Sequence, residues 1–254
     1  MKIKLKTEEQ IQMIKQSGDI LTKTIGLIGK NIKPGISLLE LDKMAEEYIK
    51  DNGGIPACKN YGGFPNTLCL SVNDIVLHGI PNKYILKDGD IISVDSVVNY
   101  KGYYSDCTYT YGVGNISDEN KRLLNVTKQS LFEAINVAKV NNSIGKISST
   151  IESYIKKHGY YIIEEYGGHG IGLEMHEDPV VPNSGKENQG IKIFNGLVIA
   201  IEPIVAVSTG KTKALTGYHN IATVNGCMSA HYEATVGFIN NKTVILTDIK
   251  NCEI

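Results

Sequence analysis

Apolar positions recur at helical spacing in four separate segments of the chain. Thr7-Glu8-Glu9-Gln10 has the form of a capping box and opens a stretch carrying Ile11, Ile14, Ile20 and Leu21, which predicts a first helix. Ser37-Leu38-Leu39-Glu40 repeats the signal and predicts a second helix that stops near Gly53-Gly54. Strand patterns dominate from about 67 to 113. A third helix is predicted from near Ser117 to about Val140 and a fourth over roughly 145–158, with His158 capping its end. Strands and loops fill the remainder. The run "GLVIAIEPIVAV" (196–207) reads as a buried strand, yet it holds the carboxylate Glu202. A lone ionised carboxylate in such a run costs several kcal/mol unless something compensates it.

A weak internal repeat sharpens the question. "EEYIKDNGG" (46–54) answers "ESYIKKHGY" (152–160), and "GDIISVDSVV" (89–98) answers "GLVIAIEPIV" (196–205). Each half reads helix, helix, strands, which points to duplicated halves, roughly 1–115 and 116–254, about a pseudo-twofold axis. The strand match sets Asp95 against Glu202. No linker or low-complexity segment divides the chain, so one domain over 1–254 is expected.

Two further acids complete the set. After Asp95 the turn signal "NYKG" (99–102) returns the chain as "YYSDCTYTYGV", carrying Asp106. A hairpin centred between Tyr100 and Lys101 places Asp95 directly opposite Asp106, with Cβ atoms roughly 4.5–5.5 Å apart. Two like charges in such surroundings repel, so either one carboxyl is protonated or a cation lies between them. Glu233, in "SAHYEATVGFI", lies in a strand returning after Glu202. The segment "GGHGIGLEMHEDP" adds His169 and His176, seven apart in a glycine-rich setting and unlike the zincin helix with ligands four apart. His78 in "VLHGIP" is a weaker candidate. Four carboxylates with one or two imidazoles suit two divalent cations with mixed oxygen and nitrogen ligands, and Mn, Fe(II), Co and Zn all fit. Paired metals of this kind activate a water for hydrolysis. The compensation for Glu202 is thus read as a metal.

Composition removes several alternatives. The chain has 254 residues, 42% hydrophobic and 21% charged, with a formal net charge of −1. That balance gives no electrostatic case for nucleic acid or an anionic membrane as partner. The basic start "MKIKLK" leads into a polar helix pattern rather than the apolar stretch of a signal peptide, and no apolar run reaches the ~18 residues of a spanning helix. Five widely spaced cysteines (58, 69, 107, 227, 252) fit a reduced, cytoplasmic compartment.

Taken in order, His78, Asp95-x10-Asp106, "GHGIG…H", "IEP" and "YEATV" closely resemble the type I methionine aminopeptidases of bacteria, members of the pita-bread metallopeptidases. The resemblance spans essentially the whole chain. It implies an α/β (α+β) pita-bread fold, two pseudo-twofold-related halves with a curved antiparallel sheet covered by helices. It implies two divalent metal ions: Asp95 chelates one, His169 and Glu202 bind the other, and Asp106 and Glu233 bridge both. It makes Glu202 the proton-transferring carboxylate as well. His78 and His176 contact the substrate amide and stabilise the tetrahedral intermediate, a role that neutral imidazoles suit. Residues matching Cys58, Tyr61, Phe64 and Cys69 line the methionine pocket, whose apolar character suits a thioether. The implied reaction removes the initiator Met from nascent chains when the second residue is small. An association with the ribosome and a monomeric state are also family expectations.

The chain departs from the family pattern in three places. Met175 stands where relatives commonly carry Phe, "TGYHN" (216–220) occupies a region that usually contains Trp, and His231 replaces a frequent Gln. His231 lies two residues from Glu233 and so on the same strand face. Rival readings are a pita-bread peptidase cleaving Xaa-Pro bonds, a non-catalytic pita-bread binding module, and a dinuclear phosphoesterase. The first usually carries an added N-terminal domain, the second typically loses metal ligands, and the third wants a phosphate-cradling loop or Arg clamp.

Overall fold

The computed structural model describes residues 2–217 and 219–254. Four helices form where the patterns predict them: α1 (Glu8–Asn31), α2 (Leu38–Asp51), α3 (Asp118–Val137) and α4 (Ile144–Lys157). Both capping boxes close, Thr7 with Gln10 and Ser37 with Glu40. Ser117 and Ser143 cap α3 and α4, and His158 ends α4 with Nδ1 donating to the Tyr154 carbonyl at 2.8 Å. Capping satisfies backbone N–H groups that the first turn leaves unpaired.

Before α3 the strands are β1 (Ile55–Pro56), β2 (Cys69–Val72), β3 (Ile75–Leu77), β4 (Ile91–Tyr100) and β5 (Tyr103–Gly112). After α4 come β6 (Tyr161–Ile162), β7 (Gly167–Gly170), β8 (Glu177–Pro182), β9 (Val198–Ile201) and β10 (Ile204–Ala206). The last are β11 (Thr212–Thr216), β12 (His219–Thr223), β13 (Ser229–His231), β14 (Glu233–Ile239) and β15 (Lys242–Ile245). The main antiparallel sheet runs β1-β4-β5-β14-β9-β7-β8, with β2 on β4 and β15 on β14. Short sheets β13-β10-β6 and β11-β12-β3 sit beside it. The β4–β5 strands thus adjoin β14–β9, the strands that carry the matching half of the sequence repeat.

Two expectations are corrected. The β4–β5 hairpin pairs Tyr100 with Tyr103, so the turn is Lys101-Gly102 rather than the Tyr100-Lys101 centre. Both turn residues have positive φ, 53° and 87°, as a two-residue hairpin turn requires, and glycine meets that need best in the second position. Asp95 therefore faces Thr108, and Asp106 faces Val97. The shift is two residues, so the acids keep their face and become diagonal neighbours instead of opposite ones. Second, "GLVIAIEPIVAV" is not one strand. It breaks at Glu202-Pro203, because proline cannot donate to a ladder, and β9 and β10 pair in different sheets.

Alternation sorts the hairpin's two faces. Helix α1 lies across one of them: the Ser17 hydroxyl donates to the Val98 carbonyl at 2.8 Å and accepts from the Ser105 hydroxyl at 2.9 Å. The Tyr111 hydroxyl donates to the Ile25 carbonyl at 3.1 Å. Asp95, Asp106 and Thr108 point the other way. The apolar core that joins the helices to the sheet includes Leu21, Ile25, Val94, Val98, Leu131 and Ile151. Helix α1 is also held close to the chain's end: a Cβ on Gly18 would lie 2.1 Å from the Leu246 carbonyl oxygen. Gly18→Ala should therefore destabilise by about 1–3 kcal/mol, despite alanine's better helix propensity. Urea unfolding measures it, and an unchanged midpoint would contradict this packing.

Candidate metal centre and adjoining pocket

The strand register builds a row of acids. Asp95 pairs with Thr108 across β4–β5, Thr108 pairs with Glu233 across β5–β14, and Ala234 pairs with Ile201 across β14–β9. Continuing that last register sets Glu202 beside Glu233. Asp106 lies two residues along β5 on the same face, which completes the four carboxylates.

His169 approaches from β7. Its strand packs tightly, since a Cβ on Gly168 would meet the Ala200 carbonyl oxygen at 2.1 Å. Only glycine allows that approach. His169 Nδ1 lies 2.9 Å from the Gly170 carbonyl oxygen. A carbonyl only accepts, so Nδ1 carries a proton and Nε2 is turned toward the acids. That Nε2 is 3.7 Å from Asp106 Oδ2 and 4.0 Å from Glu202 Oε1.

The acids are poorly compensated by protein alone. Asp106 Oδ1 and Glu233 Oε1 are buried with no hydrogen-bond partner among the described residues. Burial, and then the charge of Asp95, pushes the Asp106 carboxyl well above the ordinary carboxylate range. Burial followed by Asp106 does the same to Glu233, although the Thr108 hydroxyl donates to Glu233 Oε2 at 2.9 Å. Asp95 is raised by burial, which outweighs the pull of His231 and His78. Burial also opposes ionisation of Glu202, but His231, with Nε2 3.4 Å from Glu202 Oε2, outweighs it together with His169 and His78. Glu202 is consequently held below its ordinary value.

These observations fit a divalent cation. Asp106, His169 and Glu233 each offer a ligand atom, all within 4.8 Å of one another. The orphaned oxygens, the oriented imidazole and the mutual repulsion of the acids are each relieved by positive charge among them.

Beside the acids lies a cavity of about 370 Å³ that His78, Asp95, Asp106, His169, His176, Glu202 and Glu233 all line. Its apolar end is a cluster of Cys58, Phe64, Cys69, Val97 and Met175. Cys58 Sγ accepts the Val97 N–H at 3.3 Å. Tyr61 stands at the mouth, its hydroxyl 2.8 Å from His176 Nδ1. Desolvation against the pocket wall, then the neighbouring His169, lowers the His176 imidazole to about 4, so it is neutral at physiological pH. His78 holds the left-handed region at φ 54°, a costly conformation for a non-glycine residue. Its carbonyl accepts the Asn220 N–H at 2.9 Å, and its ring stands edge-on to Tyr166.

The acids, the three histidines and the four pocket residues that the resemblance implies all line this one cavity. His231 joins them, although the strand breaks between it and Glu233, so the proximity is not the simple alternation expected. One lining residue, His219, drew no attention beyond its place in "TGYHN". It reaches the site because β12 pairs with β3, with Ile221 opposite Leu77, and its ring packs edge-on against Phe64 at 5.2 Å between centroids. No local chemical pattern marks it.

The profile of metallopeptidase family M24 matches residues 12–249. A methionine aminopeptidase of Clostridium perfringens is 44% identical over 246 residues, covering 97% of this chain and 99% of its own. The crystal structure of methionine aminopeptidase from Rickettsia prowazekii superposes with a TM-score of 0.95 at 32% identity, covering 97% of this chain and 100% of that one. The prolidase from Pyrococcus furiosus shares the fold, with a TM-score of 0.76 at 22% identity, but the match covers 65% of its length and 96% of this chain.

The raised carboxylates carry a pH signature. An acid whose folded pKa lies above its unfolded value contributes most stability below the unfolded pKa and loses it as pH rises toward the folded one. In chelator, the unfolding free energy should fall as pH climbs from the ordinary carboxylate range near about 4. Saturating Mn(II) should abolish or reverse that slope, because ligands bind metal deprotonated. Urea unfolding across pH, with and without metal, provides the check. A pH-independent metal-free protein would contradict the charge arrangement.

Proposed function

The chain belongs to metallopeptidase family M24, and from that premise we propose that it removes N-terminal Met from polypeptides whose second residue is small. The observation that carries this reading is the junction of a carboxylate–imidazole metal centre with a small apolar pocket holding Cys58, Phe64, Cys69 and Met175. Soft, polarisable walls suit a thioether. The Xaa-Pro reading is not favoured, since near-full-length relatives are methionine aminopeptidases and the prolidase is covered only in part.

We assign Asp95, Asp106, His169, Glu202 and Glu233 as ligands of two divalent ions, to be drawn from Co, Mn, Fe(II) and Zn. Bound there, such ions supply Lewis acidity and a water that ionises near neutral pH. The chain's own residues do the rest. Glu202, ionised at working pH and steadied by His231, takes the proton from the attacking water and returns it to the leaving amine. His176 is neutral and held at Nδ1 by Tyr61, so its ring is oriented to hydrogen-bond the charge that develops on the scissile carbonyl. His78, which lines the same cavity, binds the substrate amide. Cys58, Phe64, Cys69 and Met175 exclude water around the methionine side chain. The same reading treats 1–254 as one catalytic domain with duplicated halves 1–115 and 116–254. Among the described residues no helix is long and apolar enough to cross a membrane.

Release of Met from Met-Ala-Ser by the metal-stripped protein, titrated with each of the four metals, tests the assignment. Activity should return with metal. Glu202→Ala should lower kcat/KM by about 10²–10⁴-fold, and His176→Ala by about 10²–10³-fold, mainly in kcat. Stoichiometric metal binding without Met release would retain the centre and sink the substrate.

A further inference from the structure

The N-terminal segment carries a buried ion pair that the chemistry above does not use. Lys6 Nζ donates to Glu177 Oε2 at 2.5 Å and to the Lys4 carbonyl at 2.8 Å, and both charged side chains are sealed from solvent. The other oxygen, Glu177 Oε1, accepts the backbone N–H groups of Leu173 at 2.7 Å and Glu174 at 2.9 Å. The Lys6 N–H in turn donates to the Gly196 carbonyl at 2.7 Å, so the segment is anchored at its own base. Three outer contacts follow the same line: Lys2 N–H to Asp178 Oδ2 at 2.6 Å, Lys4 Nζ to Glu174 Oε1 at 2.6 Å, and a bridge between Ile3 and Asp178.

Apart from the Gly196 and Lys4 carbonyls, the partners in these contacts are residues 173–178, and Met175 and His176 lie between the anchored amides and Glu177. The far end of the same loop is held by the Tyr104 N–H, which donates to the Gly172 carbonyl at 2.8 Å. Gly172 has φ 136° and packs where a Cβ would lie 2.9 Å from Lys6 Cε. A buried lysine–glutamate pair is weak evidence for stability, because desolvation opposes the Coulombic gain, and burial lowers the Lys6 pKa here. What the pair supplies is geometry: one carboxylate spans a lysine and two loop amides, and no apolar substitute does that.

We propose that Lys6 is a positioning residue for the reaction. Through Glu177 it sets the conformation of the 172–177 loop, so that Met175 closes the methionine pocket and His176 meets the scissile carbonyl. The N-terminal segment thereby acts as a strap on the substrate-facing loop. This inference rests on the aminopeptidase reading for its kinetic consequence, but not for its structural one.

The test uses full-length protein with Lys6→Met, and with Glu177→Gln as a milder second variant should the first fail to fold. Lys6→Met should lower kcat/KM for Met-Ala-Ser by about 10- to 100-fold, the scale of a supporting partner or a displacement near 1 Å. Manganese affinity by calorimetry should stay within about twofold, since none of the metal ligands lies in the loop. In a His176→Ala background, Lys6→Met should add far less than it does in wild type, because its main target is already gone. Full additivity would overturn the proposal. So would full activity in a folded Glu177→Gln protein. Hydrogen exchange separates this failure from failure of the functional reading: even in a protein with no Met release, Lys6→Met should raise exchange of the Leu173 and Glu174 amides while the β4–β5 hairpin stays protected. Unchanged protection of those amides overturns the strap whatever the substrate is.

Discussion

Four carboxylates on one face of one sheet repel each other, and the rest of the molecule is organised so that they cannot move apart. In water such a set would separate or remain hydrated. Here strand pairing fixes Asp95 on β4, Glu233 on β14 and, by continuation, Glu202 just past β9, with Asp106 on the intervening β5. Burial then raises three of the four, while imidazoles hold the fourth ionised. The arrangement stores a demand for positive charge in a backbone ladder that cannot relax. Stability given up at this one place is recovered in the apolar contacts behind it.

That recovery explains the division of labour between the two faces of the sheet. Helix α1 seals the side opposite the acids, using serine and tyrosine hydroxyls to satisfy buried carbonyls and aliphatic side chains to fill the core. The face with the acids is left to form a cavity, apolar at the end lined by Cys58, Phe64 and Met175 and charged at the other. Strands β4, β5, β7 and β14 hold Asp95, Asp106, His169 and Glu233, and loops carry part of the cavity wall. His176 and Met175 are on such a loop, which is why the N-terminal strap matters to them and not to Asp106 or Glu233.

Much of this was legible in the chain. The helices announced themselves by capping boxes and 3.6-residue spacing, and the acids by being charged residues in apolar, β-branched surroundings. The matching placement of Asp95 and Glu202 made two anomalies into a pattern. What could not be read was anything set by exact turn geometry or by contacts between distant segments. The hairpin moved by two residues because Gly102, not Lys101, takes the second turn position. Pro203 split an apparently continuous strand. His219 entered the cavity through pairing with a strand over a hundred residues earlier in sequence, and the Lys6–Glu177 pair joins residues 171 apart, beyond any local pattern.

The hairpin register also limits how sequences of this kind can vary in length. Alternation makes the two faces of β4 and β5 exchange with every single residue, so this part of the chain counts in pairs. Extra residues at the Lys101-Gly102 tip extend a solvent-facing loop and leave the ladder as it is. One extra residue between Tyr103 and Asp106 would turn Asp106 toward α1 unless a bulge absorbed it, and two would return it to its face one step out of line with Glu233. Insertions and deletions should accordingly collect at the tip, and the ten-residue interval between the two aspartates should change only through that tip.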